Sequence, residues 1–233
     1  MREIIFDTET TGLSNKDDRI IEFGGVELEN KFPTGNFLHI YINPQGKKVH
    51  PDALEVHGIT DEFLLDKPSF KDIADELLQF VQGAKLIAHN ANFDMGFLNA
   101  ELARIDKSPI GNEHVIDTLA IARRKHPMGP NSLDALCRRY GIDNSKREKH
   151  GALLDAELLA EVYIELSGGK QTALSLVSNG GSDKQSTDVF EETARIKARP
   201  NPLPSRITDA EKIAHEKLIA DLGEDSIWAK SAP

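Results

Sequence analysis

The sequence predicts an α/β domain, an open mixed five-stranded sheet flanked by helices, followed by a flexible tail outside it. Three observations carry this expectation. Short apolar runs at 4–6, 20–28, 37–42, 86–88 and 115–116 have the length and composition of strands. From the third run onward, helical spacing fills the intervals between runs. At Gly168-Gly169 the apolar periodicity stops, and 178–187 is rich in Ser, Gly, Asn, Asp and Gln.

The elements follow in order. Ile4-Ile5-Phe6 ends at a polar turn and suits a central buried strand. Ile20–Leu28 and Phe37–Ile42 read as two more strands, and a short connection through Pro33-Thr34-Gly35 is expected to make them a hairpin. Phe70, Ile73, Ala74, Leu77, Leu78 and Val81 keep helical spacing, with Ser69 as N-cap and Gly83 as stop. Leu86-Ile87-Ala88 is the fourth strand, and Asp94, Phe97, Leu98, Glu101, Leu102 and Ile105 mark the helix after it. Val115-Ile116 is the fifth strand, with helices near 117–125 and 132–140 and a final one over 152–166. Antiparallel strands first and βαβ alternation afterwards is the order of a ribonuclease-H-like fold.

The tail divides further. Residues 178–187 have linker composition, and Pro200, Pro202 and Pro204 block local helix. Thr208-Asp209-Ala210-Glu211 is a capping box opening a helix with Ala210, Ile213, Ala214, Leu218 and Leu222 on one side. Ile227-Trp228 follows. The division expected is a domain over 1–169, a linker over 170–190 and a tail segment over 191–233.

With 233 residues, the chain can bury a full core and still carry an appendage. Cys137 is its one cysteine, which excludes an internal disulfide. No secretory pattern opens the sequence and no apolar run approaches the ~20 residues of a membrane span, so a cytoplasmic setting without a membrane is expected. The net charge of −10 sits awkwardly with nucleic-acid binding. Either the substrate is not a nucleic acid, or metal ions and a partner protein supply positive charge. Arg123-Arg124-Lys125 and Lys146-Arg147 with Lys149 read equally as phosphate contacts or as solvated surface.

The chemistry lies in five residues. Asp7 and Glu9 leave the same face at the end of the first strand. Asp94 shares the apolar face of Phe97, Leu98 and Ile105, and Asp155 that of Ala152, Leu159 and Val162. Each carboxylate stands where the local pattern gives an apolar side chain, and a buried unpaired carboxylate costs several kcal/mol or takes up a proton. Structural ion pairs for all four would need several buried cations that their sequence neighbourhoods do not offer. Hard divalent cations satisfy them together. His150, before Gly151, has an ordinary pKa of ~6.5 that suits a general base near neutral pH. Asp117 and Asp134 read only as helix starts.

Taken in order, these residues resemble the three motifs of the DEDDh family of 3′–5′ exonucleases. Asp7 and Glu9 match the first, Asp94 the second, and His150 with Asp155 the third; His150 in place of Tyr selects the branch. Thr8-Glu9-Thr10-Thr11-Gly12, Val56-His57-Gly58-Ile59, Asn131–Cys137 and His150–Ala156 are similar to its proofreading members, which serve bacterial replicative DNA polymerases. The resemblance implies that Asp7, Glu9, Asp94 and Asp155 hold two Mg²⁺ or Mn²⁺ ions, roughly 3.5–4 Å apart in such sites. It implies that His150 deprotonates the attacking water and that a 5′-nucleoside monophosphate leaves. Asp52, where the family commonly has Glu, and His57 would contact the terminal nucleotide of a DNA primer 3′ end, with His89, Asn90 and Phe93 close by.

The tail is similar to partner-binding segments of the same proteins. Gln171, Leu174 and Leu176 fit a sliding-clamp-binding peptide docking apolar anchors into a groove. Glu191–Ala229, with Ile213, Leu218 and Trp228, resembles the part that binds the polymerase subunit, and a small third core subunit is a further possible partner. Two alternatives remain open on sequence alone. One is a stand-alone DEDDh exoribonuclease, against which the linker and tail argue. The other is a non-catalytic bridge between clamp and polymerase, against which the complete set of five residues argues.

Overall fold

In the computed structural model, residues 1–147, 149–168 and 207–222 are described. The first unit carries five strands, β1 Arg2–Thr10, β2 Ile20–Glu29, β3 Phe32–Tyr41, β4 Lys85–Ala88 and β5 Val115–Asp117. The sheet order is β3-β2-β1-β4-β5. β1 pairs antiparallel with β2, and β2 with β3, whereas β1–β4 and β4–β5 are parallel. The mixed five-stranded sheet, antiparallel first and parallel afterwards, agrees with the sequence.

Strand alternation sorts β1 into two faces. Ile4 and Phe6 enter the larger core with α3 (Phe70–Val81) and α4 (Ala91–Arg104). Ile5 enters a second core with Leu159, Tyr163 and Ile164 of α7 (Ala152–Leu166). Asp7 and Glu9 continue the Ile5 face toward α7, and Thr8 continues the Phe6 face toward α4.

The β2–β3 connection differs from expectation. The turn is Asn30-Lys31, with φ of 52° and 69°, and Pro33, Thr34 and Gly35 lie inside β3. Two residues at positive φ suit a hairpin turn that follows strand twist. The Pro and Gly signals mark an irregularity instead: pairing shifts between Val26 and Leu28, opposite Phe37 and Pro33. Pro33 is tolerated because β3 is an edge strand.

Two short helices, α1 Pro51–His57 and α2 Asp61–Leu64, lie in a stretch with no legible periodicity. Seven and four residues are too few to show a 3.6-residue pattern. Backbone bonds hold α1 in place: His50 N donates to Thr11 O at 2.8 Å and His150 N to Val56 O at 3.2 Å. α1 is thereby tied to the end of β1 and to the loop before α7. The remaining helices of this unit are α5 Thr118–Lys125 and α6 Leu133–Tyr140.

Helix α7 lies directly on the sheet backbone. A Cβ on Gly24 of β2 would meet Leu153 N at 2.1 Å and the Ala152 carbonyl carbon at 2.2 Å. Glu22, two residues earlier, accepts from Ala152 N at 3.2 Å, giving α7 the cap that Gly151 cannot. On the other sheet face, fully buried Glu101 receives Arg19 Nε and Nη2 at 2.7 and 2.9 Å. Arg104 donates to the Asn15, Lys16 and Asp18 carbonyls, fixing the loop after β1.

Compactness divides the chain into units Met1–Leu176 and Val177–Pro233. In the second unit the capping box forms, Thr208 N donating to Glu211 Oε2 at 2.7 Å and Glu211 N to Thr208 Oγ1 at 3.3 Å. It opens α8, Asp209–Leu222, on which Ile213 and Leu218 are exposed. Gln171, Leu174, Leu176, the 178–187 linker and Trp228 lie outside the described residues. Among the described residues, no helix is long and apolar enough to cross a membrane.

Gly24→Ala tests the close approach of α7. The methyl group has only backbone to displace, so unfolding in urea should show a loss of about 1–3 kcal/mol or more. Stability equal to wild type would mean α7 does not rest there.

Candidate active site

The five residues singled out in the sequence gather at the C-terminal end of β1, where strand ends of α/β sheets place ligands. Asp7 and Glu9 come from β1, and Asp94 from the first turn of α4. Asp155 comes from the first turn of α7, and His150 from the loop before it. Thr8 Oγ1 donates to Asp94 Oδ1 at 2.7 Å, linking the first and second motifs. Ligand atoms of Glu9, His150 and Asp155 lie within 4.8 Å of one another, close enough to share a cation.

Electrostatics give the cluster its character. Burial first, then Asp94, Glu9 and Asp155, push the Asp7 carboxyl well above its usual range, although the residue keeps some exposure. Burial, then the facing carboxylate of Glu22, raises Glu9 to about 8. Burial raises Asp94 to about 7 despite hydrogen bonds from Thr8 and backbone amides. A helix-terminal Asp held only by the dipole and amides would be lowered instead. Glu9 Oε1 is buried with no hydrogen-bond partner. An oxygen-only set of crowded acids with an orphaned, buried acceptor is the donor chemistry of a hard divalent cation, and the residues fit such an ion.

One expectation is corrected here. The neighbourhood does offer a buried cation, Arg147, whose side chain is 7 % exposed and is not solvated surface. Its Nε and Nη2 donate to Oδ1 and Oδ2 of Asp155, the latter at 2.7 Å. Nη1 reaches Asp134 Oδ2 at 2.9 Å, and Nη2 lies 2.9 Å from His150 Nδ1. A single guanidinium satisfies Asp155 and, among the described residues, leaves Asp7, Glu9 and Asp94 without an ion-pair partner of their own. Asp134, read as a helix start, thus anchors Arg147 as well. Asp117 does cap α5, and it also accepts from Asn90 N at 3.0 Å. The sequence hid Arg147 because a basic run beside a loop carries no periodicity that reveals burial. Arg123, Arg124 and Lys125 are exposed, and Lys125 Nζ donates to the Glu165 carbonyl at 3.1 Å.

Beside the cluster lies a groove of about 510 Å³ lined by Glu9, Leu13, Asp52, Val56, His57 and Phe93. The structure thus brings Asp52 and His57 to one place with Glu9. Asp52 is exposed on α1. His57 is buried, and its Nδ1 accepts from Ile59 N at 3.0 Å. Its Nε2 faces the Thr10 backbone without a hydrogen bond of normal geometry. Burial lowers the His57 pKa, which keeps the ring neutral. His89 is structural: its ring bonds Thr118 Oγ1 and the Asn131 carbonyl at 2.9 and 2.8 Å. His150 is half exposed at the mouth, and burial and Arg147 lower its pKa against the pull of Asp155 and Asp134.

Comparison with known proteins shows the family. The Exonuclease (RNase_T) family matches residues 4–163. The DNA polymerase III subunit epsilon of Escherichia coli (strain K12) is 44 % identical over 239 residues, covering 97 % of each chain. Its counterpart in Rickettsia felis is 51 % identical over 181 residues, covering 76 % of this chain and 79 % of the relative. Among solved structures, exonuclease X in complex with 5′ overhanging duplex DNA superposes with a TM-score of 0.54 at 26 % identity, over 71 % of this chain and 89 % of that one.

The raised carboxyls make a signed prediction. Glu9, normally 4.5, sits at about 8, and Asp94, normally 3.8, at about 7, so the folded protein binds their protons more tightly than the unfolded one. In EDTA, stability is therefore fully present below about pH 4 for these groups and is lost as pH rises to about 8. Added Mg²⁺ should raise the melting temperature more at pH 8 than at pH 5. The opposite order would mean that these acids are not the ones the ion relieves.

Proposed function

Because the chain belongs to the Exonuclease (RNase_T) family and to the DNA polymerase III epsilon subunits, we propose that it is the proofreading 3′–5′ exodeoxyribonuclease of a replicative polymerase. The observation that carries this is the convergence of Asp7, Glu9, Asp94, Asp155 and His150 at the end of β1, beside a groove sized for one nucleotide. The relatedness holds over nearly the whole length, tail included, which favours a polymerase-bound enzyme over a stand-alone exoribonuclease or an inactive bridge.

Asp7, Glu9, Asp94 and Asp155 would hold two divalent cations, Mg²⁺ or Mn²⁺. When bound, these ions supply Lewis-acid chemistry that acidifies water and offsets charge on the phosphate. The chain's own residues do the rest. Leu13, Val56 and Phe93 give the terminal base an apolar wall against which to stack. His57 and Asp52 sit on that wall's α1 side, placed to hold the terminal sugar. His150, with Nδ1 3.4 Å from Asp155 Oδ2, takes the proton of the attacking water. Its lowered pKa leaves it unprotonated and able to accept near neutral pH. The water oxygen bonds to phosphorus as the P–O3′ bond breaks; a 5′-nucleoside monophosphate leaves, and the 3′-oxygen of the shortened strand takes a proton from solvent to become its new 3′-hydroxyl.

The acidic net charge fits this role. A partner that itself grips the duplex leaves this chain to receive only a frayed strand end. The partners would be the polymerase (alpha) subunit of DNA polymerase III through 191–233 and the sliding clamp through Gln171, Leu174 and Leu176. A flexible tether raises local concentration to about millimolar.

A primer–template with a mismatched 3′ end should lose deoxynucleoside monophosphates in Mg²⁺ and not in EDTA. Asp7→Ala with Glu9→Ala should abolish release, and activity confined to RNA would reject the reading. His150→Gln should lower kcat by about 10²–10⁴-fold and remove the acidic limb of the pH profile. An unchanged profile would exclude His150 as the base. A chain ending at Gly169 should retain turnover and no longer co-elute with the polymerase subunit; co-elution would refute the tail assignment.

A further inference from the structure

We propose that Arg147 is a built-in cation that competes with the divalent ion for Asp155 and so sets how tightly the site holds metal. This rests on the reading of Asp7, Glu9, Asp94 and Asp155 as a divalent-cation site.

Ligand atoms of Glu9, His150 and Asp155 lie within 4.8 Å of one another. Two of those three residues are the ones the Arg147 guanidinium holds. It spans both oxygens of Asp155 and reaches His150 Nδ1 at 2.9 Å. A divalent ion on Asp155 would meet a full positive charge bonded to the same carboxylate, and at that separation the repulsion is large. Arg147 stays charged at any accessible pH, so it must move rather than deprotonate.

An alternative anchor is in place. Asp134 Oδ2 already accepts from Nη1 at 2.9 Å, and its side chain is 45 % exposed. Asn144 Nδ2 donates to the other Asp134 oxygen at 2.9 Å, holding the acceptor still. Arg147 can therefore release Asp155 and His150 while keeping one ion pair at the edge of the site. Without an ion, it neutralises the buried carboxylate at the start of α7; with an ion bound, it swings onto Asp134. A purely structural clamp would hold Asp155 equally in both conditions.

The two readings separate in metal affinity. Full-length wild type, Arg147→Gln and Arg147→Lys are titrated with MnCl₂ by calorimetry and melted in EDTA and in saturating MnCl₂. Arg147→Gln should bind Mn²⁺ about tenfold or more tighter than wild type, because a unit charge beside the ligand is gone. It should melt below wild type in EDTA, with the gap closing in MnCl₂. Arg147→Lys keeps the charge without the bidentate fork and should fall between the two; it decides the matter if the Gln variant does not fold. Affinity no tighter than wild type in the folded variant, or a melting gap that persists in MnCl₂, overturns the proposal. If neither wild type nor the variants bind Mn²⁺, the cation-site reading itself fails.

Discussion

The close seating of α7 on the backbone of β2 is the constraint from which the site follows. Gly24 leaves no side chain between helix and strand, so the first turn of α7 lies against the sheet. Glu22 then fills the role of the missing N-cap by accepting from Ala152. Both residues belong to the strand paired with the first motif: Gly24 faces Asp7 and Glu22 faces Glu9 in the register. Asp155, in the first turn of the same helix, is thereby delivered against Asp7 and Glu9. A bulkier residue at Gly24 would separate motifs that lie far apart in sequence.

This seating sets up an electrostatic conflict. Water is largely excluded from acids that repel each other, and the protons of Asp7, Glu9 and Asp94 are held more tightly as a result. Folding energy elsewhere must support that arrangement, and it does so through the two apolar cores on either face of β1. The Arg19–Glu101 pair and the Arg104 bonds to the loop after β1 add rigidity on the α4 side. The site is stable only as a compromise between core burial and charge crowding, and a bound cation shifts the balance toward the folded form. Arg147 relieves one corner of it.

Much of this was readable from residue order. The buried strand at 4–6, the alternation that points Asp7 and Glu9 one way, and helices with an acid on the apolar face all follow from period and polarity. Short α1 and α2 escaped because they complete too few turns to repeat. The hairpin turn was misplaced because Pro33 and Gly35 look like a turn but serve an irregular edge strand, whereas Asn30-Lys31 takes positive φ with little sequence signal. Arg147 was hidden for a different reason. Its neighbours Lys146 and Lys149 are exposed, and nothing local distinguishes the one side chain that turns inward.

By itself the sequence determined the sheet, the acids and the imidazole, because periodicity and the misfit of a charge on an apolar face are local properties. Only the tertiary structure decided which groups meet. That Glu22 faces Glu9 and caps α7, that Asp134 and Asp155 share one guanidinium, and that α1 carries Asp52 and His57 to the groove are consequences of register and close packing. Such contacts join residues far apart in the chain, and their energy depends on burial that exists only once the sheet and its helices have assembled.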